Sequence, residues 1–281
     1  MPGIIDAAGI SGSLDAKNIV MGVLQKGIEL SNLEAICQKI LVPELTANIP
    51  VSAVPAVDED VLEYEHSDVE TGAFTNVDFS LKKDRVKLAV SDEAGYKSKA
   101  GDPLGIQITA AGMQLANVLD KKVIAALQTT PQTAATVAAW DTVTNSPLRD
   151  LAVAMAGILP YRADFVVMTP AVYAAYLGND IIKYAGAGNP PAMKGATAKV
   201  PGLDLDIFVN SQLTAGSCAV GSSTGFAAVL GNGPVKVRSW DDEDMGAKFY
   251  QMDVFRQVKA PIFFNASNLN MSVYQITAVI T

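Results

Sequence analysis

Residues 86–128 have the sequence VKLAVSDEAGYKSKAGDPLGIQITAAGMQLANVLDKKVIAALQ, which predicts a strand followed by one long helix. Asp102 is a favourable N-cap, Pro103 suits the first helical position, and the helical pattern ends near Gln128. At ~1.5 Å per residue this helix is about 39 Å long, enough to cross a whole domain. We expect two of its stripe residues, Leu115 and Val118, to be buried under a sheet. The stripe at helical spacing consists of Ile108, Ala111, Leu115, Val118, Leu119, Lys122 and Ala126.

The segment before this helix, residues 50–87, predicts an extended charged hairpin. Seven carboxylates and no cation lie in 58–70, four cations lie in 82–87, and Thr71-Gly72 favours a turn between them. Because the apolar residues change parity across 82–85, the strand must change its buried face there. We therefore expect a projecting two-stranded arm outside this point and a strand of the body inside it. The two apolar sets are Val77, Phe79 and Leu81, then Val86, Leu88 and Val90.

The rest of the chain mixes helices and strands without a regular alternation, which indicates an α+β fold. Residues 1–24 are rich in Gly, Ser and Ala and predict an extended N-terminal arm, and residues 25–41 predict a helix. Further elements are predicted in chain order: helix 147–159, strand 165–168, helix 170–177, and strands 203–209, 226–230, 234–240, 247–258 and 271–280.

The composition narrows the function classes. The 281 residues are 49% apolar and only 18% charged, which suggests that surface is buried against other subunits. A net charge of −8 argues against a protein that binds nucleic acid by neutralising phosphates, and against an anionic membrane surface. No secretory signal is visible, and the longest apolar run is too short to span a bilayer. Two cysteines form no metal or disulfide motif, which suits a reducing cytosol.

Three local patterns invite a chemical interpretation, and none amounts to an active site. Gly221-Ser-Ser-Thr-Gly225 matches the nucleophile-elbow pattern, but the chain's single histidine, His66, lies upstream of Ser223 instead of downstream. The run 241–244 is acidic, yet adjacent strand residues point to opposite faces, so a solvated turn is the simpler interpretation. Cys37 lies on an apolar stripe and predicts a buried thiol. We expect no catalytic, metal or cofactor site.

The order of these elements resembles the major capsid proteins of tailed double-stranded DNA bacteriophages, over about residues 25–281. The junction from VKLAVSDEAGYKS into DPLGIQITAAGMQLANVLDKKVIAALQ is the part most similar to the family. LRDLAVAMAGILPYRADFVVMTPAVYAAYL and VPGLDLDIFVNSQL are similar to its axial domain, and VKVRSWDDEDMGAKFYQMDVFRQVKAPIFF to the strands that return to its peripheral domain.

The resemblance implies the tailed-phage capsid fold, which encapsulins share, with its five regions. These are the N-terminal arm 1–24, an N-terminal helix region 25–49, the extended β-hairpin or E-loop 50–87, a peripheral domain with the long spine helix (88–146 and 233–281), and an axial domain 147–232. Many family members carry a longer N-terminal scaffolding segment that is cut away. The roughly 25 residues before the first helix here imply a separate scaffolding protein or none. No residues are assigned to the covalent crosslink of some members.

The implied function is that of a structural subunit and not of an enzyme. Such a subunit self-assembles through pentamers and hexamers into an icosahedral shell around a double-stranded DNA genome, in a virion assembled in the host cytoplasm. The implied partners are copies of itself, scaffolding, portal or decoration proteins, and packaged DNA without sequence-specific contacts; no cofactor or membrane is implied. Two alternatives remain: an encapsulin-type nanocompartment shell, which gene neighbours would distinguish, and a soluble α+β hydrolase.

On this interpretation the hairpin lies across a neighbouring subunit. Its odd-numbered apolar residues would bury against the neighbour, while Val86, Leu88 and Val90 bury at home. Its acidic edge would meet basic groups of the adjacent chain, mainly setting register and salt dependence. The candidate subunit-contact residues are Glu63, Glu65, Asp68, Glu70, Phe74, Val77, Phe79, Leu81, Lys82, Lys83 and Arg85.

Overall fold

The computed structural model describes residues 21–27, 31–52, 74–91, 103–129, 131–135, 139–142, 145–185, 198–260 and 270–280. The helices are the spine helix Pro103–Leu127, Pro147–Gly157, Pro170–Gly178 and Asp180–Ala185; residues 21–27 are also helical. The strands are β1 Gln38–Leu41, β2 Thr46–Ser52, β3 Phe74–Ser80, β4 Lys82–Ser91, β5 Pro131–Ala135, β6 Phe165–Met168, β7 Ala198–Lys199, β8 Asp206–Val209, β9 Cys218–Gly221, β10 Val229–Asp242, β11 Ala247–Lys259 and β12 Asn270–Thr277.

A four-stranded sheet with the order β1-β10-β11-β4 carries the spine helix on one face. β1 runs parallel to β10, whereas β11 lies between β10 and β4 and runs antiparallel to both. Ala111 and Leu115 of the helix pack with Met252 and Val254 of β11 in one apolar cluster. Removal of these side chains from water holds the helix against the sheet.

The predicted long helix is confirmed, but its buried face is rotated from the predicted one. Leu115 is 4% exposed, as expected, whereas Val118 is 39% exposed, so the prediction for Val118 is wrong. The buried stripe also includes Val123 and Leu127. Because each residue advances a helix by about 100°, Val118 lies roughly 180° from Leu127 and faces away from the core.

A second sheet has six strands in the order β5-β12-β9-β6-β8-β7. All four residues of β6 are buried, as expected for a central strand that is covered on both faces. Leu151 and Val172, from the two helices that flank β6 in the chain, pack in its apolar cluster with Trp140. The indole Nε1 of Trp140 donates a hydrogen bond of 2.9 Å to Asp150 at the start of helix Pro147–Gly157.

The two sheets divide the chain differently from the predicted domain boundaries. β5 lies within the segment assigned to the peripheral domain, and so does β12. Both nevertheless belong to the six-stranded sheet, where β12 pairs with β5 on one side and β9 on the other. Pairing between strands as far apart in the chain as β5 and β12 leaves no local pattern in the sequence, and the domain boundaries stay a prediction.

The predicted helix over residues 25–41 is wrong from residue 31 onward, and residues 28–30 lie outside the described residues. Glu34–Ile36 form a short 3-10 turn, and Gln38–Leu41 form β1, which pairs with the first residues of β10. The spacing of Leu33, Ile36 and Cys37 favoured a helix in the sequence. Their side chains pack in one apolar cluster with residues of the spine helix. The backbone of the next four residues then finds its hydrogen bonds in a sheet.

The predicted N-terminal arm extends too far into the chain. Residues 1–20 lie outside the described residues, but residues 21–24 are helical and Val23 is buried in the cluster of the spine helix. A glycine allows this close crossing, because a Cβ on Gly112 would lie 2.7 Å from the Lys26 Cβ. The described segment 21–27 therefore packs on the body of its own chain.

The observed face of the spine helix gives a matched pair of substitutions. Leu115→Ala should lower the free energy of unfolding by about 2–5 kcal/mol, because it leaves a cavity against the sheet. Val118→Ala removes a half-exposed side chain and should cost less than about 1 kcal/mol. Urea denaturation of both variants measures the difference; equal losses would contradict the observed orientation of the helix.

Candidate functional site

The base of the charged hairpin is a separate two-stranded sheet. β2 pairs antiparallel with β3, from the pair Thr46/Ser80 to the pair Ser52/Phe74. A two-stranded unit is therefore present, but its first strand precedes the acidic segment 58–70 instead of lying in it. The predicted turn at Thr71-Gly72 lies outside the described residues. β3 ends at Ser80 and β4 begins at Lys82 in the four-stranded sheet. Phe79 and Leu81 are buried, whereas the even-numbered residues of β4 from 84 to 90 are less exposed than their odd-numbered neighbours, so the predicted change of buried face is confirmed.

The apolar residues at this base pack against the chain's own β10. Phe79 is 1% exposed and Leu81 is 8% exposed, so the expectation that a neighbouring subunit covers them is wrong. Two glycines of β10 make room for the rings and methyl groups. A Cβ on Gly231 would lie 3.0 Å from Phe79 Cδ1, and a Cβ on Gly233 would overlap Leu81 Cδ1. The hairpin is thus fixed to its own subunit at this end.

An ionic network joins the spine helix, β4 and β11 below the hairpin base. Lys122 Nζ donates to both carboxylate oxygens of Asp84 at 2.7 Å, and Arg256 Nε donates to Asp84 Oδ2 at 2.9 Å. Arg256 Nη2 also donates to the backbone carbonyl of Leu115 at 2.7 Å. Because Arg256 and Asp84 are largely buried, loss of either would leave an uncompensated charge in the core.

A second ion pair lies on the opposite face of the same sheet. Arg85 donates from Nε and Nη2 to the two carboxylate oxygens of Asp253, at 2.7 and 3.2 Å. Gln251 Nε2 donates to the same carboxylate. The hydrogen bond from Arg85 is the largest cause of an Asp253 pKa below its ordinary value. Arg85, a predicted subunit-contact residue, is therefore engaged within its own chain.

The outer face of the four-stranded sheet, turned away from the spine helix, is basic and aromatic. The strand register places five cations on it: Lys83, Arg85, Lys87, Lys236 and Arg238. Between them lie Trp240, Phe249 and Phe255, with the first two rings stacked at 5.4 Å between centroids. We call these eight residues the basic face. The sequence analysis did not predict the basic face, although Lys83, Arg85 and Lys87 alternate along β4 and could have indicated it.

The remaining predicted contact residues fall in three groups. Lys82 and Lys83 are exposed at the start of β4. Phe74 and Val77 are strand positions of β3, paired with Ser52 and Ile49. The acidic candidates lie outside the described residues: Glu63, Glu65, Asp68 and Glu70.

Comparison with known proteins identifies the family. The family model described as phage capsid protein matches residues 75–263, which is more than half of the chain. The chain belongs to the phage capsid protein family. No curated protein is similar enough in sequence to match it.

Solved structures share the fold at low sequence identity. A virus-like particle from Pyrococcus furiosus is 10% identical with a TM-score of 0.63, and the match covers 92% of this chain and 98% of that one. A solved structure from Microbacterium phage Oxtober96 is 13% identical with a TM-score of 0.64, and the match covers 88% of this chain and 90% of that one. The capsid of a native GTA particle is 12% identical with a TM-score of 0.65, covering 88% and 89%.

As a phage capsid protein, the chain is a structural subunit of a shell that associates with copies of itself. Its fold is the tailed-phage capsid fold, as the resemblance in sequence implied. The family match favours a virus capsid over a compartment shell with enzyme cargo. Membership of this family also implies a structural role rather than a catalytic one.

In this capsid protein the serine of the nucleophile-like pattern holds a turn. The Ser223 hydroxyl donates to one carboxylate oxygen of Asp164, and its backbone N–H donates to the other at 2.8 Å. These bonds fix the loop between β9 and β10. No histidine of the described ranges approaches Ser223, and His66 lies outside them. The hydrogen bonds with Asp164 give Ser223 a structural role in this loop.

The other two chemical patterns also have structural explanations. Asp241, Glu243 and Asp244 are exposed around the turn between β10 and β11, and Met245 N donates to Asp242. Among the described residues no group of three or more potential metal ligands exists. Burial raises the pKa of the Cys37 thiol to about 12, and it also raises the pKa of Cys218. In the described parts no helix is long and apolar enough to cross a membrane.

The close packing at the hairpin base predicts the effect of a single methyl group. Gly233→Ala should lower the free energy of unfolding by about 1–3 kcal/mol by overpacking, because the added Cβ meets Leu81 and comes within 3.2 Å of Phe255 Cβ. Gly178→Ala is the control, since nothing lies within 4 Å of its added Cβ. Urea denaturation measures both; a neutral Gly233→Ala would contradict the packing of Leu81 on β10.

The ion pair of Asp253 predicts a pH-dependent contribution to stability. Because its folded-state pKa is lowered from 3.8, the carboxylate stabilises the fold above that pH. This contribution is lost as the pH falls through the folded-state pKa. Asp253→Asn should therefore destabilise the subunit at neutral pH and make progressively less difference in acid. Urea denaturation across this range measures the change, with exposed Asp244→Asn as the control; a constant difference would contradict the pairing.

Proposed function

We propose that this subunit assembles through pentamers and hexamers into an icosahedral shell around a double-stranded DNA genome, with each hairpin lying across a neighbour. The observation that carries the proposal is the contrast between the two ends of the hairpin. Phe79 and Leu81 attach its base to β10 of the same chain. Beyond the base, residues 58–70 carry seven carboxylates and no cation, a composition with little apolar surface of its own to bury.

The acidic edge of the hairpin needs a basic partner, and the basic face supplies one on the surface of an adjacent subunit. Exposed ion pairs contribute only about 0–1 kcal/mol each, so their main effect is on register and on the salt dependence of assembly. Head-to-tail contacts of this kind close into rings. Many weak contacts repeated around a shell then give large avidity.

The charge of the subunit suits a container for packaged DNA. With a net charge of −8, the subunit would not bind phosphates tightly, and the genome would move freely during packaging. The DNA is thus held without sequence-specific contacts. Scaffolding, portal and decoration proteins are the further partners of such a shell, which is assembled in the host cytoplasm and becomes part of the virion. No step of this role requires catalysis or a cofactor.

Deleting the acidic part of the hairpin tests this function. Residues 56–70 are replaced by a short Gly-Ser linker, so that β2, β3 and the packing of Phe79 remain. We expect a folded subunit with an unchanged melting temperature that no longer forms shells, because it has lost the segment that contacts a neighbour. Negative-stain electron microscopy and sedimentation velocity measure assembly, and circular dichroism measures folding.

The control removes charge elsewhere. Glu243→Gln and Asp244→Asn together neutralise two exposed carboxylates of the turn after β10 and should leave shells intact. Shells from the deletion variant would refute the role of the hairpin. A wild-type chain that remains monomeric, with or without a co-expressed scaffolding protein, would refute the shell itself.

A further inference from the structure

The distal half of β10 has an open edge. β1 pairs with β10 only from Val229 to Asn232, whereas β11 pairs with its other side out to Asp242. In the portion of the chain that the structure describes, no strand lies beside residues 235–242 on the first side. An open edge presents unpaired backbone N–H and C=O groups, which are a template for a strand from another chain.

The two sides of this edge differ in chemistry. Val235 and Val237 are 42% and 37% exposed on the side of the sheet that carries the spine helix. Lys236 and Arg238 alternate with them on the basic face and are exposed. Among the described residues neither cation has a carboxylate within ion-pair distance, although Lys236 Nζ lies 5.7 Å from the centroid of the Phe255 ring. A strand that fits this edge therefore has one apolar side and one acidic side.

The acidic segment of the hairpin has this alternation. In the sequence VLEYE of residues 61–65, Leu62 and Tyr64 alternate with Glu63 and Glu65. When this segment is extended, Leu62 and Tyr64 lie on one side and the two carboxylates lie on the other, with Val61 at the end of the carboxylate side. The period is the same as that of β10, so several matched pairs form at once.

We propose that residues 61–65 of a second subunit add as a strand to the open edge of β10, with Tyr64 opposite Val237. This inference rests on the proposed shell function and names the surface that receives the hairpin. In this register Glu63 and Glu65 lie beside Lys236 and Arg238, whether the added strand runs parallel or antiparallel. A slip by one residue would place both carboxylates beside the valines, so burial and charge specify the same register.

Pairing of two β10 edges with each other is the competing use of this edge. A two-fold axis perpendicular to the sheet keeps each residue on its own side. Lys236 and Arg238 of one copy would then lie beside the same cations of the other copy. Like charges at adjacent cross-strand positions are destabilising, so the charges favour the acidic segment as the occupant.

Disulfide trapping tests the register. Tyr64→Cys and Val237→Cys are combined in one chain, and the matched control combines Glu63→Cys with Val237→Cys, which lie on opposite sides of the sheet. Cys37 and Cys218 are buried and should not interfere. After mild oxidation of assembled protein, we expect covalent multimers on a non-reducing gel from the first pair only. Equal multimers from both pairs, no multimers, or a crosslink confined to single chains would overturn the proposal.

Charge reversal tests the partner independently of cysteine chemistry. Lys236→Glu with Arg238→Glu should raise the subunit concentration needed for assembly about tenfold or more. Because Lys236 lies opposite Asp253 of β11, its reversal should also lower the melting temperature, so assembly is compared at a temperature where circular dichroism shows that the variant is folded. Adding Glu63→Lys and Glu65→Lys should restore assembly, because the pairs are re-formed with their signs exchanged. The control Lys121→Glu with Arg149→Glu makes the same change of net charge at exposed helical positions and should assemble normally.

The outcomes separate this inference from the shell function. If the wild-type chain forms no shells, the proposed function fails. If the wild-type chain and the β10 variant assemble equally well, or if the hairpin charges do not rescue the variant, only this inference fails. Enhanced assembly of the β10 variant would indicate that two β10 edges meet each other, and would also overturn it.

Discussion

The arrangement of this subunit depends on the hydrogen bonds that the buried guanidinium of Arg256 makes. It bonds to Asp84 on β4 and to the Leu115 carbonyl of the spine helix, and Lys122 shares the same carboxylate. One strand, its neighbour and the helix above them are therefore held at a single point, just inside the base of the hairpin. A charged network in a largely apolar interface specifies one arrangement, because any displacement would leave a buried charge unpaired.

The base of the hairpin and its outer part have different contacts. Phe79 and Leu81 pack against the glycines of β10, so the base of the hairpin belongs to the core of its own subunit. The opposite face of the sheet and the distal edge of β10 remain uncovered by the described residues and carry cations. A subunit built this way presents basic surfaces, and its own sequence also contains the acidic segment 58–70. Repeated copies can then join without any further partner supplying the complementary charge.

Local sequence patterns were sufficient to predict the elements that depend on interactions between residues close together in the chain. The spine helix followed from Pro103 and its apolar stripe, and the change of parity after Leu81 correctly located the passage from hairpin to body. Long-range pairing decided the rest. The strand at Gln38–Leu41 exists because β10 lies beside it, and the glycines that make room for Phe79 and Leu81 are about 150 residues away along the chain. The exposure of Val118 likewise depends on which arc of the helix meets the sheet. The cations of the candidate site were visible in sequence, but only the strand register joins β4 and β10 into one basic face.

A cryo-EM reconstruction of the assembled particle is the most direct test of the central claim, that the hairpin is held by its own subunit at the base and by a neighbour beyond it. The account predicts a closed shell in which Phe79 stays against Gly231 of the same chain, while the acidic segment adds a strand beside β10 of the adjacent subunit. A shell in which the acidic segment folds back onto its own chain, with the β10 edge open or paired to another β10, would contradict it.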